Sequence, residues 1–295
     1  MTDAKPALEF TGERFTPECM REIWYEHWHR YAFALPLVRG KRVLDAACGE
    51  GYGSNLLAGT AATVIGVDVS ADAVAHARTC YAGRENVQFQ CADAAALEFP
   101  DHSFDVVVSF ETLEHLHAQK ELVAGFARVL AEDGLLLISS PDKHNYSELA
   151  GFRNEFHVRE LYRDELLGLL RPHFPEIRLY GQKLVFQSAL WSLDPEARGN
   201  SVVTASADGS MLEPGFGYAP LYFVAVCSRR SLPDNLPAIS LFGDREESVY
   251  THYNGEVRRN MQAGARIAEL EAELERLRLA PGTATSPWWR RWLRR

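Results

Sequence analysis

Short runs of apolar residues alternate with amphipathic stretches between residues 42 and 140. Five of the runs have the length and the β-branched or apolar content of buried strands. They are Arg42–Ala46, Thr63–Val67, Val87–Gln90, Phe104–Ser109 and Leu135–Ser139. A spacing of roughly 20 residues leaves room for a helix in each connection, which predicts a parallel sheet with right-handed crossovers.

The stretches between and around these runs carry apolar residues at helical spacing. Helices are predicted over residues 18–38, 54–58, 70–80, 118–131 and 158–170. Ser70 is a suitable N-cap for the third of them. Two further strands are predicted at Ile177–Tyr180 and Leu221–Cys227, the second of which has the continuously apolar pattern of a sheet interior.

The composition changes in the last part of the chain. Residues 191–218 are rich in Gly, Ser, Ala and Asp and are predicted to form an insertion loop near the active face or a mobile segment. The overall prediction is a main domain over residues 1–230, which includes an N-terminal helical cap, and a linker over residues 231–253. A helix or short coiled coil follows over residues 254–280, and a Trp/Arg-rich tail over residues 281–295.

Two features of the C-terminal part suggest partners. Ile267, Leu270, Leu274 and Leu277 have the 3-4-3 spacing of a coiled-coil seam, so residues 256–279 are predicted to pair with a second copy or another protein, or to form a solvated helix. The tail WWRRWLRR places indoles on one helical face and arginines on the other, which suits peripheral contact with an anionic membrane surface or a docking peptide.

Charge and cysteine content limit the functional class. A net charge of −9 argues against a general nucleic-acid binder. The five cysteines are scattered, without a CxxC pair, as expected for reduced thiols in the cytoplasm. Because no secretory signal and no run of about 20 apolar residues is present, a cytoplasmic protein is predicted, with the tail as its contact to the inner face of a membrane.

A glycine-rich turn follows the first strand in the sequence DAACGEGYGS. Glycines allow a tight turn and close approach of a ligand to the backbone. A dinucleotide fingerprint would have glycine where Ser54 stands, and the Asp45 carboxylate would repel a pyrophosphate. The same carboxylate suits the ammonium and sulfonium groups of S-adenosylmethionine (SAM), so the turn favours SAM over NAD.

Two further carboxylates follow neighbouring strands. Asp68 ends the second strand, 23 residues after Asp45, where it can accept both hydroxyls of a ribose. Asp93 comes directly after the third strand, where it can meet the adenine edge or cap a helix. Since NAD proteins share the ribose carboxylate, Asp68 alone does not discriminate the two ligands.

Four motifs in this order resemble those of the class I SAM-dependent methyltransferases, over about residues 40–140. They are VLDAACGEGYGS (43–54), GVDVS (66–70), CADA (91–94) and FDVVVSFETLEHL (104–116). Ala47 departs from the glycine that is usual in the first motif, and only a minor adjustment is expected. The resemblance implies a Rossmann-like α/β fold, with a seven-stranded mostly parallel sheet whose last strand is antiparallel, and helices on both sides.

The resemblance also implies site residues, each at the position that matches the motif. Asp45, Gly49 and Gly51 are expected to line the methionine part of SAM, and Asp68 the ribose. Asp93 and Ala94 are expected at the adenine, and Phe110 and Glu111 near the methyl group. His27, Arg30 and Tyr31 share one turn of the first helix and are predicted to cap the pocket.

The flanks resemble methyltransferases of bacterial surface-polysaccharide clusters. The similar segments are TGERFTPE (11–18), EHWHRYAFA (26–34) and NEFHVREL (154–161). This resemblance implies O-methylation of a sugar or saccharide–lipid intermediate. The alternatives are a small-molecule O- or N-methyltransferase, a NAD-dependent oxidoreductase, and a non-catalytic scaffold.

Methyl transfer to a hydroxyl benefits from a general base. His115 and His157 are the candidates because histidine titrates near neutral pH, although either could be a structural histidine. Glu111 and Glu114 are alternative bases. The pairs His27/His29 and His115/His117 lack a third ligand in their motifs, so no metal site is predicted.

Overall fold

Seven strands form one sheet in the computed structural model, which describes residues 22–194, 196, 199 and 201–279. The strands of the described residues are β1 Arg42–Ala46, β2 Thr63–Asp68, β3 Val87–Cys91, β4 Phe104–Ser109, β5 Leu130–Pro141, β6 Glu176–Gln182, β7 Val203–Ala205, β8 Leu212–Pro214 and β9 Tyr222–Ser228. The helices are α1 Glu22–Ala34, α2 Tyr52–Leu57, α3 Ala71–Cys80, α4 Gln119–Val129, α5 Arg163–Leu170 and α6 Ser248–Leu279.

The sheet order is β3-β2-β1-β4-β5-β9-β6. Strands β1 to β5 pair in parallel, and β9 runs antiparallel to both of its neighbours. This confirms the predicted seven-stranded, mostly parallel sheet. The chain order reverses between β1 and β4, and open α/β sheets bind ligands at the carboxyl ends of the strands at such a point.

The apolar runs form central strands because both faces of the sheet are covered. Along β1, Val43 belongs to one core and Leu44 to the core on the opposite face. Along β4, Val106 and Val108 belong to the first core and Val107 to the second. Side chains alternate between the faces of a strand, so a strand in this position has to be apolar throughout.

Helix α5 begins at Arg163, so the predicted start at residue 158 is wrong. The backbone N–H groups of Val158 and Arg159 donate to the Glu114 carbonyl at 2.8 and 3.0 Å instead of joining a helix. A bridge pairs Leu161 with Asp142. The segment before α5 is therefore bound to the turn that follows β4.

The insertion loop predicted over residues 191–218 contains the hairpin of β7 and β8. The hairpin strands pair antiparallel, and the Thr204 hydroxyl donates to the Gly215 carbonyl at 2.7 Å. A run of Gly, Ser, Ala and Asp is thus compatible with a short two-stranded ribbon.

The chain divides into two compact units, Met1–Phe242 and Gly243–Arg295. In the second unit the Asp244 carboxylate accepts the N–H of Ser248, the first residue of α6. Ile267, Leu270, Leu274 and Leu277 are exposed on α6, and their pairing with a partner stays a prediction. Within the described residues, no helix combines the length and apolarity that a membrane span requires. Residues 11–18 and the tail 281–295 lie outside the described residues.

Candidate active site

The turn between β1 and α2 has a backbone that glycine adopts readily. Ala47, Gly49 and Gly51 have φ angles of 60°, 56° and 88°, in the left-handed region. A non-glycine residue there costs roughly 1–2 kcal/mol. Ala47, the residue that departs from the family motif, thus takes a conformation that glycine would adopt without that cost.

Gly51 in the turn and Gly53 in the first turn of α2 also leave no space for a side chain. A Cβ on Gly51 would lie 2.5 Å from the Phe89 ring, and one on Gly53 would lie 2.1 Å from the Tyr31 ring. Phe89 belongs to β3 and Tyr31 to α1. The glycines therefore let the turn pack between two aromatic rings from distant parts of the chain.

Asp45 lies behind this turn without exposed surface. Its carboxylate accepts the Ser54 hydroxyl at 2.6 Å and the Tyr31 hydroxyl at 3.1 Å. Burial raises the pKa of Asp45 to about 6, although both hydrogen bonds act in the opposite direction. Asp45 and Tyr31, two predicted cofactor residues, are thus joined directly, and Ser54 has a role that the glycine of a dinucleotide fingerprint could not fill.

Asp68 connects the turn to the end of β2. One carboxylate oxygen accepts the Gly49 N–H and the other the Ser70 N–H, both at 2.9 Å. Ser70 caps α3 as predicted, since its hydroxyl accepts the Ala73 N–H. The half-buried Asp68 carboxylate thus lies beside the turn at the carboxyl edge of the sheet.

Asp93 is exposed and caps a short 3-10 turn, Ala94–Ala96. Its Oδ1 accepts the Ala95 N–H at 2.8 Å, and Ala94 is buried. The helix-capping alternative is therefore realised. An adenine contact requires the second carboxylate oxygen or the backbone of this turn.

Phe110 and Glu111 follow β4, next to β1 in the sheet. The Phe110 ring packs edge-on against Tyr31 with 5.1 Å between centroids. Glu111 has a φ of 51°; its N–H donates to Ser139 Oγ at 3.0 Å, and that hydroxyl donates to Glu111 Oε1 at 2.6 Å. A strained backbone that neighbouring groups hold in place is typical of functional sites.

Arg30 is almost fully buried next to Glu111. Its Nη1 lies 3.7 Å from Glu111 Oε1 and donates to Gln182 Oε1 at 2.8 Å. The guanidinium lies over the Tyr222 ring, 5.1 Å from its centroid. Its buried Nε has no hydrogen-bond partner in the described part of the chain. Arg30 was predicted to cap the pocket, and its contacts reach the ends of β6 and β9.

A cavity of about 780 Å³ opens beside Arg30 in the first unit. Its polar and charged lining residues are Glu26, His29, Arg30, Arg163, Gln182, Lys183, Gln187 and Ser240, and the remaining lining is largely aromatic and aliphatic. The apolar side chains include Phe33, Leu179, Tyr180, Phe216, Tyr218 and Leu241. Pockets for small ligands have this size and this mixture of apolar walls with a few polar groups.

Glu26, also at the cavity, is expected to make stability depend on pH. Burial raises its pKa from 4.5 to about 7, against the opposing effects of the Arg30 charge and a hydrogen bond with Tyr222. The folded chain therefore keeps a proton that the unfolded chain has lost. The contribution to stability is fully present below pH 4.5 and is lost as the pH rises through about 7, an effect of about 3 kcal/mol.

Urea unfolding of Glu26→Gln and of the unaltered chain between pH 4.5 and 8 measures this effect. The difference in stability between the two should grow in favour of the variant as the pH rises. Glu121→Gln, at an exposed position on α4, should show no such change. An unchanged difference across this range would contradict the prediction.

His115 and His157 come together with 5.0 Å between ring centroids. His115 Nδ1 lies 3.0 Å from the Phe156 carbonyl oxygen, and His157 Nδ1 lies 2.6 Å from Glu160 Oε1. Glu114 is buried beside them, with Oε1 3.8 Å from His115 Nε2. Burial raises the pKa of Glu114 well above its ordinary value.

The structure brings the predicted catalytic residues into one region through aromatic contacts. Tyr146 stacks on His157 at 5.5 Å and packs against Tyr222 at 5.6 Å, and Tyr222 lies under Arg30. Several groups of this region were not predicted, namely Ser139, Tyr146, Glu160, Gln182 and Tyr222. A detectable signal exists for Ser139, because two serines interrupt the apolar run of β5.

His27 and His29, the other histidine pair considered as metal ligands, each contact a hydroxyl group instead. His27 Nδ1 lies 3.2 Å from the Tyr52 hydroxyl, and burial lowers its pKa well below the ordinary value. His29 Nε2 lies 2.9 Å from the Ser240 hydroxyl.

Comparison with known proteins shows similarity to methyltransferases. Residues 44–138 match the family model of a methyltransferase domain. A "probable S-adenosylmethionine-dependent methyltransferase" from Mycobacterium tuberculosis is 43% identical over 171 residues, which cover 57% of this chain and 61% of that protein. One from Mycolicibacterium smegmatis is 40% identical over 167 residues, 56% of this chain and 64% of that protein. The chain thus spans about three fifths of the length of these curated relatives.

Solved structures agree on the fold. The YcgJ protein from Bacillus subtilis superposes with a TM-score of 0.50 at 22% identity, covering 70% of this chain and 100% of that one. The family model and the relatives favour the SAM interpretation of the glycine turn over the dinucleotide one. Residues 44–138 thus match a methyltransferase domain, within a chain that is similar to probable SAM-dependent methyltransferases and has a Rossmann-like fold.

Proposed function

We propose that this chain transfers the methyl group of SAM to an acceptor oxygen that lies between Glu111 and the His115–His157 pair. The observation that carries the proposal is the bond between the Gly49 N–H and the Asp68 carboxylate, which holds the glycine turn and the ribose-binding group together at the carboxyl edge of the sheet. The similarity to the mycobacterial probable SAM-dependent methyltransferases supports the same activity.

The residues of the turn fit SAM. Each Asp68 carboxylate oxygen accepts one backbone N–H and keeps lone-pair capacity for a ribose hydroxyl. The absence of a Cβ at Gly51 keeps the turn close to its neighbours. We assign the methionine part to Gly49 and Gly51, with Asp45 supporting the turn from behind through Ser54 and Tyr31. We assign the adenine to Asp93 and Ala94, and the closure of the pocket to Tyr31 and Phe110.

The chain's own groups then have to position the acceptor and take its proton. When bound, SAM would supply a methyl group on a sulfonium, whose carbon is open to in-line attack by an acceptor oxygen with the thioether as the leaving group. Glu111 carries a carboxylate beside Arg30, held by the Ser139 hydroxyl, and we assign to it the acceptance of the proton. His115 and His157 hold the acceptor oxygen opposite it.

For the acceptor we propose a sugar hydroxyl. The cavity beside Arg30 is large enough for a saccharide, and it combines aromatic rings with Glu26, Arg30 and Gln182. Its lining does not include Glu111, His115 or His157, so the reacting hydroxyl has to extend from the cavity past Arg30, which contacts Glu111. Aromatic faces and hydrogen-bonding groups together match the apolar faces and hydroxyls of a sugar ring. Transfer of labelled methyl groups from SAM to saccharides, phenols and amines tests this class. Transfer to phenols or amines alone would replace it with a small-molecule acceptor.

Glu111→Gln is expected to lower kcat by on the order of 100-fold, because removal of a general base typically costs 10²–10⁴. The dissociation constant for SAM, measured by calorimetry, should change little, because Glu111 lies on the acceptor side. Glu121→Gln, exposed on α4, is the matched control and should keep full activity.

Two results would overturn these assignments. Failure of the unaltered chain to bind SAM at high micromolar concentration would remove the proposed activity. An unchanged kcat in Glu111→Gln would remove only the role of this residue.

A further inference from the structure

Glu114 has a buried carboxylate oxygen without a partner. The residue is 1% exposed, and its Oε2 makes no hydrogen bond within the described residues. Buried polar atoms are nearly always bonded, and an orphaned carboxylate oxygen is especially unfavourable. The Glu114 carbonyl accepts the N–H groups of Val158 and Arg159, which keeps the side chain next to His157. A cation at this position would compensate the buried carboxylate.

The two histidines next to Glu114 share one tautomer. A carbonyl oxygen only accepts, so the contact with the Phe156 carbonyl places the proton of His115 on Nδ1. The contact with the Glu160 carboxylate likewise places the proton of His157 on Nδ1. Nε2 is then the unprotonated nitrogen of both rings; on His157 it accepts the Asn154 side-chain N–H at 3.0 Å, a contact that a metal ion would replace. Metal-bound histidines usually donate their other N–H to a carboxylate or a backbone carbonyl, as both do here.

We propose that Glu114, His115 and His157 bind a divalent transition-metal ion such as Zn²⁺. One ligand atom of each residue lies within 4.8 Å of the others. With metal–ligand bonds of about 2.0–2.1 Å, tetrahedral ligands lie about 3.3 Å apart, so a modest approach of the three groups suffices. Two imidazoles and a carboxylate form the ligand set of several catalytic zinc sites, whereas magnesium prefers oxygen ligands.

The inference deepens the proposed function and rests on it for its catalytic meaning. Three protein ligands leave a fourth position for the acceptor oxygen. A hydroxyl bound there would lose its proton more readily, and Glu111 could accept that proton. The oxygen then attacks the sulfonium methyl carbon, the carbon–sulfur bond breaks, and both electrons of that bond stay on sulfur. Glu160 and the Phe156 carbonyl act as positioning groups.

The test measures metal binding on the full chain, without a polyhistidine tag and after chelator treatment. Calorimetry with Zn²⁺ should show one site, and Co²⁺ should give the absorption bands of a four-coordinate ion. Glu114→Gln and His157→Ala should each weaken binding by on the order of 100-fold or more. Glu160→Gln should weaken it by about 10–100-fold, the usual effect of a lost outer partner.

His144→Ala is the matched control, because His144 contacts Glu148 in an exposed pair and is not one of the three ligands. It should bind Zn²⁺ like the unaltered chain. Calorimetry with SAM reports whether each variant is folded, and Glu160→Gln replaces any ligand variant that does not fold. Absence of Zn²⁺ and Co²⁺ binding in the unaltered chain, or equal binding in all variants, would overturn the metal site. Failure of the unaltered chain to bind SAM would instead overturn the proposed function.

Discussion

Asp68→Ala is expected to weaken SAM binding by on the order of 100-fold or more. The substitution removes the expected acceptor for the ribose hydroxyls, and hydrogen bonds to a charged group contribute about 1.5–3 kcal/mol each. It also leaves the Gly49 and Ser70 N–H groups without the carboxylate that accepts them. Calorimetry with SAM measures the loss directly.

Asp72→Ala provides the control for charge. Asp72 is exposed in the first turn of α3, four residues further along the chain, so its removal changes the net charge equally without touching the glycine turn. This variant should bind SAM within a few-fold of the unaltered chain. If both variants bound SAM alike, the ribose assignment of Asp68 would be wrong.

Gly51→Ala is expected to lower the free energy of unfolding by about 2–5 kcal/mol. Left-handed backbone costs a residue with a Cβ about 1–2 kcal/mol, and overpacking a core costs about 1–3 kcal/mol. Both costs apply here, because φ is 88° and the new Cβ would lie 2.5 Å from the Phe89 ring and 2.9 Å from Ala77 Cβ. Denaturant unfolding measures the change.

Gly125→Ala makes the same chemical change where neither cost applies. Gly125 lies within α4, and an added Cβ would have no neighbour within 4 Å. The variant should be about 0.5–1 kcal/mol more stable, because alanine favours helices. A Gly51→Ala protein as stable as the unaltered chain would show that the turn can relax away from Phe89.

The strands could be predicted because burial on both faces imposes a local pattern. Each central strand needs an uninterrupted apolar run, and Val106 to Val108 satisfy both cores at once. The start of α5 was predicted wrongly for a physical reason. Residues 158–162 have helical periodicity, but a carbonyl from the turn after β4 takes the N–H groups of Val158 and Arg159. The sequence around Val158 does not indicate a hydrogen bond to a carbonyl that lies more than 40 positions earlier in the chain.

The residues of the proposed cofactor half could also be placed from the sequence, because they follow successive strands. Asp68 could be placed from its position at the end of β2 alone. The acceptor half depends on contacts between distant segments. Arg30 meets Gln182 across 152 positions of the chain, and His115 meets the backbone of Phe156 across 41. The proposed metal ligands Glu114, His115 and His157 likewise come from two separate segments, so no single motif contains all three.

Strand β6 pairs within the described residues only with β9, which follows it after residues 183–221. During synthesis, β1 to β5 emerge first and can assemble around the glycine turn, while the edge of β5 stays open. That edge is covered only after Ser228 has left the ribosome, and open sheet edges favour association with other chains. A nascent chain would therefore form the glycine turn before the cavity beside Arg30, and chains interrupted between α5 and β9 are expected to aggregate.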